Sequence, residues 1–495
     1  MNINKKQAHS GHLINRMARN SVFLILSRIT DMAAFFITTP IIARYLGMNA
    51  FGEYALVMAI TIFVKPLAEF GSESIICLDL VKNKTGASEY VNAAFIARAL
   101  MSGFIMIIIY LFVGLVVSDG VFKHAILISA VTDISLSFCA IFLAVIRAYE
   151  RMEYELLCNF FYQLANIAGI TAVIFLDLGF ISLFYARLFS ALIFLVFLLL
   201  FVFKYLLSFR KGFDWHVIKF IYKEASPLAI FTLLITASSK IDVFFLNYFK
   251  GPADIALFEA PNRLITQLQF IPFSINASMF PFFARVSEDP NESLHIYYGR
   301  AVKFLYIFSI FPAMLSFLGS EAIINLLFGE KFLLSSVALR ILSWSFIIFT
   351  LNHFLHNILI VLGRQRVIII IVGISFLFNI LLDLLLIPYY GYIGASIATL
   401  VSSFISFIIT VFCTSRYAGR LSAVNILVKP SISALLAGIA CYFIITKSFV
   451  SLLAGAFLGL TIYILMLLVL KAFEKNELTL IKEAIFRKKK KGTVC

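Results

Sequence analysis

Charge is what this sequence has least of: Asp, Glu, Lys and Arg make up only 14% of its 495 residues. A soluble chain of that length needs far more charge to cover its surface, which excludes a water-soluble globular fold. Cysteine is scarce as well. The six copies, Cys77, Cys139, Cys158, Cys413, Cys441 and Cys495, include no close pair such as CxxC. That removes a disulfide framework and a zinc site, and leaves them as buried small hydrophobes. The opening stretch MNINKKQAHSGHLINRMARN has no small-residue cleavage site, so the apolar run behind it reads as a retained span. No nucleophile elbow, phosphate-cradling loop or metal-hydrolase helix is present, which leaves catalysis without candidate residues; the expectation is a non-enzyme.

What is present is apolar. Hydrophobic residues make up 62% of the chain, and the mean hydropathy is +0.99. Runs long enough to cross a bilayer as helices recur throughout. The reading is an all-α polytopic membrane protein of about fourteen spans: 21–43, 53–77, 92–117, 124–147, 156–176, 180–204, 225–248, 254–284, 301–319, 337–362, 367–387, 391–415, 427–446 and 449–471. Of the 41 Lys and Arg residues, thirty fall on the side of the N-terminus, six on the other, and five within spans. By the positive-inside rule both termini are then cytoplasmic, and the +15 net charge mostly reports topology. The RKKKK tail suits anionic lipid headgroups better than nucleic acid. The largest outer loop, about Gly319 to Ser336, has no room for an enzyme domain, and one compact bundle is expected.

An internal repeat runs through these spans. YLGMNAFGEYA from Tyr45 lies over FKGPADIALFE from Phe249, pairing Gly47 with Gly251 and Tyr54 with Phe258. LGFISLFYA from Leu178 lies over YGYIGASIA from Tyr390, pairing Gly179 with Gly391. Two such matches in order imply two six-span halves, as in many transporters. The expected division is an N-terminal segment 1–20, lobes 21–212 and 213–420, two further spans in 421–471, and a basic tail 472–495.

Five cations lie within spans: Arg28, Lys65, Lys240 and Arg263 on spans 1, 2, 7 and 8, and Arg187 on span 6. Asp31, Glu69, Asp242 and Glu259 join the first four, while Asp133 and Asp383 lie elsewhere. A mid-bilayer charge costs on the order of 3 kcal/mol, so these groups should face a partner or a wet path. Arg28–Asp31, Lys65–Glu69 and Glu259–Arg263 are spaced to pair along one helix face. Asp242, two residues after Lys240, points to the opposite face, so Lys240 is expected to lack an intrahelical partner and to be available to an anion. Seven of the eleven prolines, Pro40, Pro66, Pro227, Pro252, Pro261, Pro272 and Pro281, fall in or beside spans 1, 2, 7 and 8, as bent gating helices would require. His353 and His356 could share a metal by spacing, but Asn352 and Asn357 beside them suggest a polar interhelical face instead, and no metal site is expected.

ARYLGMNAFGEYALVMAI, from Ala43, resembles the first periplasmic turn of Wzx-type polysaccharide (O-antigen) flippases of the multidrug/oligosaccharidyl-lipid/polysaccharide exporter superfamily. Residues 241–264, LLFGEKFLLSSVALRILSW (326–344) and NILLDLLLIPYYGYIGASIATL (379–400) resemble the same family, in the family's order. Phe258-Glu259-Ala260 departs from the family pattern by placing an acid at the outer end of span 8. The resemblance implies a fourteen-helix flippase of the bacterial inner membrane, with two six-helix lobes around a central cavity and two peripheral helices. It implies transport of an undecaprenyl-diphosphate-linked oligosaccharide to the periplasmic leaflet, with proton or sodium coupling. Partners so implied are the lipid-linked substrate, membrane lipids, a polysaccharide polymerase and a chain-length regulator. Arg28, Lys65, Lys240 and Arg263 are then the expected diphosphate ligands, because arginine and lysine replace its water by charge-assisted hydrogen bonds. Asp31 is the expected ion-responsive group. Arg44, Gly47, Gly52 and Gly251 form the expected cavity mouth and hinge, with Gly52 letting span 2 start close against span 1. A cationic-drug exporter, a lipid II-type flippase and a membrane polymerase or ligase are the rival readings.

Overall fold

The computed structural model describes residues 2–82, 87–206, 215–288, 294–419, 423–445 and 449–472. The basic tail and the loops holding Arg210, Lys211 and Arg420 lie outside the described residues. Every element described is helical: α1 (Asn2–Thr61), α2 (Val64–Glu69), α3 (Ser72–Lys82), α4 (Ala87–Val116), α5 (Gly120–Ala148) and α6 (Met152–Phe175). There follow α7 (Phe180–Tyr205), α8 (Trp215–Phe249), α9 (Pro252–Leu268), α10 (Phe270–Glu288), α11 (Leu294–Leu318) and α12 (Ser320–Phe328). A 3-10 turn (Glu330–Phe332) leads to α13 (Ser335–Val361), α14 (Gln365–Tyr390), α15 (Tyr392–Ala418), α16 (Ala423–Ile444) and α17 (Phe449–Val469). Helices are what an apolar solvent demands, because each satisfies its own backbone donors and acceptors.

Among the described residues, twelve helical stretches are long and apolar enough to cross a membrane. They hold thirteen of the fourteen predicted spans, since the first stretch, Arg19–Val81, contains two. Gly47 separates that pair: at φ 72° and ψ −178° it leaves the helical conformation, and the left-handed φ suits a residue without a Cβ. The remaining span, 254–284, is delivered as α9 and α10.

Proline explains where spans 2 and 8 break. Pro66 has no N–H to give the carbonyl of Ile62, four residues back, and the helix opens at Ile62–Phe63 before resuming as α2. Pro272 likewise has none for Leu268, the last residue of α9, and the chain turns at Gln269. The repeat therefore extends to the helix breaks.

The chain forms two compact units, Met1–Glu259 with Ile380–Ala395, and Ala260–Asn379 with Ser396–Cys495. In the first, α8 packs on α2, α3 and α4, and Ile76, Cys139, Phe142 and Leu198 of α3, α5 and α7 belong to one buried core. Arg98, only 2% exposed, is held in this unit by donating to the Ser137 carbonyl and to Ser72 Oγ. In the second unit, Tyr463 of α17 stacks on Phe311 of α11 and donates to the Ile307 carbonyl at 2.8 Å.

Candidate functional site

The repeat-related turns hold the charged helices. Gly47 and Gly251 have φ of 72° and 100°, and Gly179 and Gly391 have 81° and 55°, so each sequence pair shares a left-handed backbone. The turn after span 1 is tied to the turn before span 6: Tyr45 Oη donates to Asp177 Oδ1 at 2.7 Å and accepts from the Gly179 N–H at 3.1 Å. The equivalent turns of the second half are tied by another group, the Tyr392 N–H donating to Asp254 Oδ1 at 2.9 Å. Gly52 has a different neighbour from the one expected. A Cβ there would lie 1.8 Å from the Pro252 carbonyl oxygen, so its missing side chain accommodates the start of α9, not span 1. The two repeat-related turns therefore touch. Arg44 stands exposed just before Gly47.

Two of the four expected cations are accessible and loosely held. Arg28 is 60% exposed, with Nη1 3.5 Å from Asp31 Oδ2. Lys65 is 44% exposed, with Nζ 3.7 Å from Glu69 Oε1. Both pairs have the spacing along the helix that the sequence predicts. Asp31 is fastened on its other oxygen, where Oδ1 accepts from Asn159 at 2.6 Å and Gln163 at 2.8 Å, both on α6. These two bonds fix the Asp31 carboxyl group between α1 and α6, beside Arg28.

Lys240 requires a correction. It was expected to be available to an anion, yet its Nζ donates to both oxygens of Glu259, at 2.8 and 3.1 Å. The lysine side chain is 14% exposed and the glutamate 0%. The partner comes from the next helix, α9, around the Gly251 turn, which helical spacing within α8 could not reveal. Both Glu259 and Arg263, spaced to pair along α9, have further interactions besides this one. Arg263 itself is half-buried.

Asp242 also finds its neighbour across helices. It is 3% exposed and meets the carboxyl group of Asp383 on α14, itself 0% exposed. Neither oxygen of Asp383 accepts a hydrogen bond among the described residues. Buried polar oxygens without a hydrogen bond are rare in folded proteins, and Asp383 has two. Elsewhere in the first unit, Arg187 of α7 interacts electrostatically with Asp133 of α5 and donates to Met58 Sδ.

Sequence reasoning missed a further network because it counted Arg147 only as a topological charge. Its guanidinium grips Glu155 through Nε and Nη2, at 2.9 and 2.7 Å, and reaches Glu73 at 2.5 Å. The Glu155 spacing, eight residues on, was the only available signal. The two histidines are taken by different neighbours: His353 stacks on Phe273 with centroids 4.9 Å apart, and His356 Nε2 lies 3.3 Å from Thr410 Oγ1.

With this geometry established, comparison with known proteins is informative. Residues 17–287 match the family model of polysaccharide biosynthesis proteins, and residues 227–385 match the MatE model. The capsular polysaccharide biosynthesis protein CapF of Staphylococcus aureus is 23% identical over 410 residues, covering 79% of this chain and 98% of that one. An uncharacterized membrane protein, MJ1068 of Methanocaldococcus jannaschii, is 31% identical over 179 residues; the aligned part is 36% of this chain and 35% of that protein's length. Among solved structures, the lipid II flippase MurJ in an inward closed conformation superposes with a TM-score of 0.75 at 16% identity, covering 95% of this chain and 99% of that one. An inward-facing multidrug resistance MATE family transporter of the MOP superfamily gives 0.63 at 17% identity, covering 78% and 95%. At such identities the structures establish the fold alone.

Proposed function

Starting from the fact that this chain belongs to the polysaccharide biosynthesis protein family, whose model matches residues 17–287, we propose that it is a flippase. Its cargo in this reading is an undecaprenyl-diphosphate-linked oligosaccharide repeat unit of an O-antigen or similar surface polysaccharide. The unit is carried across the bacterial inner membrane from the cytoplasmic to the periplasmic leaflet by alternating access. The observation that carries the proposal is the contrast among the embedded cations. Arg28 and Lys65 are exposed and held at 3.5 and 3.7 Å, whereas Lys240 is buried in a 2.8 Å pair. Exposed cations within membrane helices suit an anion that must shed its water, and a diphosphate is such an anion. Arg28 and Lys65 therefore bind the diphosphate, Arg263 contributes from the second half of the repeat, and Lys240 holds α8 to α9.

The expected result for an Arg28→Ala, Lys65→Ala double variant is loss of surface polysaccharide at unchanged protein level. Normal polysaccharide would remove these two residues from the site. Because each cation has a nearby acid, single variants should fall in between.

Ion coupling is assigned to Asp242 and Asp383 in place of Asp31, since Asp31 already has its oxygens occupied. Transport by an Asp383→Asn variant in vesicles is expected to lose its dependence on an imposed proton or sodium gradient. A gradient response equal to that of the unmodified protein would return the role to another acid.

A second reading, in which the cargo carries a peptidoglycan precursor instead, fits the same fold, which a lipid II flippase shares. Complementation of a strain depleted of its lipid II flippase discriminates: growth supports the second reading, and its absence the first. A polymerase and a chain-length regulator are the protein partners that the first reading implies.

A further inference from the structure

Away from the charged helices, α4 and α8 run side by side at the surface of the first unit and enclose a groove of about 490 Å³. Its walls come from one face of each helix: Ala97, Leu100, Met101 and Phe104 on α4, and Trp215, Ile218, Lys219 and Tyr222 on α8. The three-and-four spacing on both sides places these residues in two parallel stripes. The floor is closed where Tyr222 Oη donates to the Ala97 carbonyl at 3.2 Å and where Ile218 packs on Ala93 and Ala97. The rims stay open, with Leu100 62%, Phe104 60% and Trp215 50% exposed.

Lys219 supplies the only charge in this lining. It lies at the end of α8 where the membrane-crossing stretch Ile218–Phe249 begins, beside Trp215. Tryptophan and lysine are the residues that settle at the headgroup level of a bilayer. Lys223, one turn further on the same face, is exposed too. The remaining charged or titratable groups nearby are His216 and Glu224 on α8, both exposed, and Arg98 on α4, whose guanidinium turns inward to Ser72 and Ser137. Neither Lys219 nor Lys223 forms an ion pair among the described residues.

We infer that this groove binds one anionic phospholipid, with an acyl chain between α4 and α8 and the phosphate on Lys219. The volume falls within the range of about 300–1,000 Å³ usual for small-ligand sites. A protein helix gains little hydrophobic free energy by replacing lipid on such a face, because lipid tails are as apolar as leucine. A lipid chain fits the apolar walls, and the single lysine selects its headgroup. The inference does not depend on the identity of the transported cargo.

The chain has two tryptophans, so Trp344→Phe leaves Trp215 as the one fluorescent reporter. The full-length variant is reconstituted into phosphatidylcholine vesicles containing a small fraction of either brominated phosphatidylglycerol or brominated phosphatidylcholine. Quenching of Trp215 by the brominated phosphatidylglycerol should exceed that by the phosphatidylcholine at equal fraction, with an apparent preference of about fivefold, the ratio expected for one lysine at a membrane surface. Lys219→Glu should erase the preference and Lys219→Arg should retain it. Equal quenching by the two lipids, or a preference that survives Lys219→Glu, overturns the inference. Displacement of the quencher by an equimolar amount of unlabelled undecaprenyl phosphate also overturns it, since the groove would then hold a polyprenyl tail.

Discussion

Replacing Glu259 with alanine is expected to remove most of the folded protein from the membrane. The carboxylate is 0% exposed and accepts from Lys240, itself 14% exposed, on both oxygens at 2.8 and 3.1 Å. Deleting one partner strands the other as a buried charge, at a cost of about 3–5 kcal/mol. That is comparable to the whole stability of many domains, about 5–15 kcal/mol. Lys240→Met should be destabilising for the same reason, whereas Lys240→Met combined with Glu259→Leu should recover protein level relative to either single variant, because neither member of the pair is left behind as a charge. Membrane abundance and the temperature of inactivation in detergent are the measurements. An E259A protein as abundant and as heat-stable as the original would refute the buried pair. If the double variant is stable but exports no polysaccharide, the pair also acts in transport, since packing alone would have been restored.

The second large effect is expected at Gly52. Any side chain there places a Cβ 1.8 Å from the Pro252 carbonyl oxygen, far inside the 3.0 Å that real Cβ atoms respect, so the two turns must move apart. Backbone cannot yield as the tip of a flexible side chain can. Gly52→Leu should therefore reach the membrane but fail to export polysaccharide, and a cysteine introduced at Pro252 should label faster with a membrane-impermeant thiol reagent. Gly47→Ala is the control. Nothing lies within 4 Å of a Cβ at Gly47, and only its positive φ opposes alanine. That strain is about 1–3 kcal/mol, and export should be reduced less than by Gly52→Leu. If Gly52→Leu exports normally with unchanged labelling, the contact between the turns has no part in closing the transporter.

These two expectations come from different sources, and the difference explains how much of the molecule was legible in the sequence. The missing N–H of Pro66 and Pro272 marks where spans 2 and 8 can break. Pro40, Pro227 and Pro261 nevertheless lie inside continuous helices, so which prolines break the chain was not legible. The twin turns at Gly47 and Gly251 could be matched from residues a fixed distance apart, and the pairs Arg28–Asp31 and Lys65–Glu69 from helical spacing. All of these are local. A membrane helix bonds its own backbone and buries itself in lipid, so its extent, kinks and intrahelical pairs are written in consecutive residues.

The sequence by itself thus determined an all-helical membrane protein, the prolines at which its helices can break, its internal repeat and the family motif. Tertiary structure alone decided that Lys240 turns to Glu259, that Asp242 meets Asp383, that Gly52 faces Pro252 and that Arg98 is buried. Each depends on how far one helix is rotated and shifted along its neighbour. Packing across helices sets those two quantities, and the hydrophobic period leaves them open because in lipid every face of a helix can be apolar.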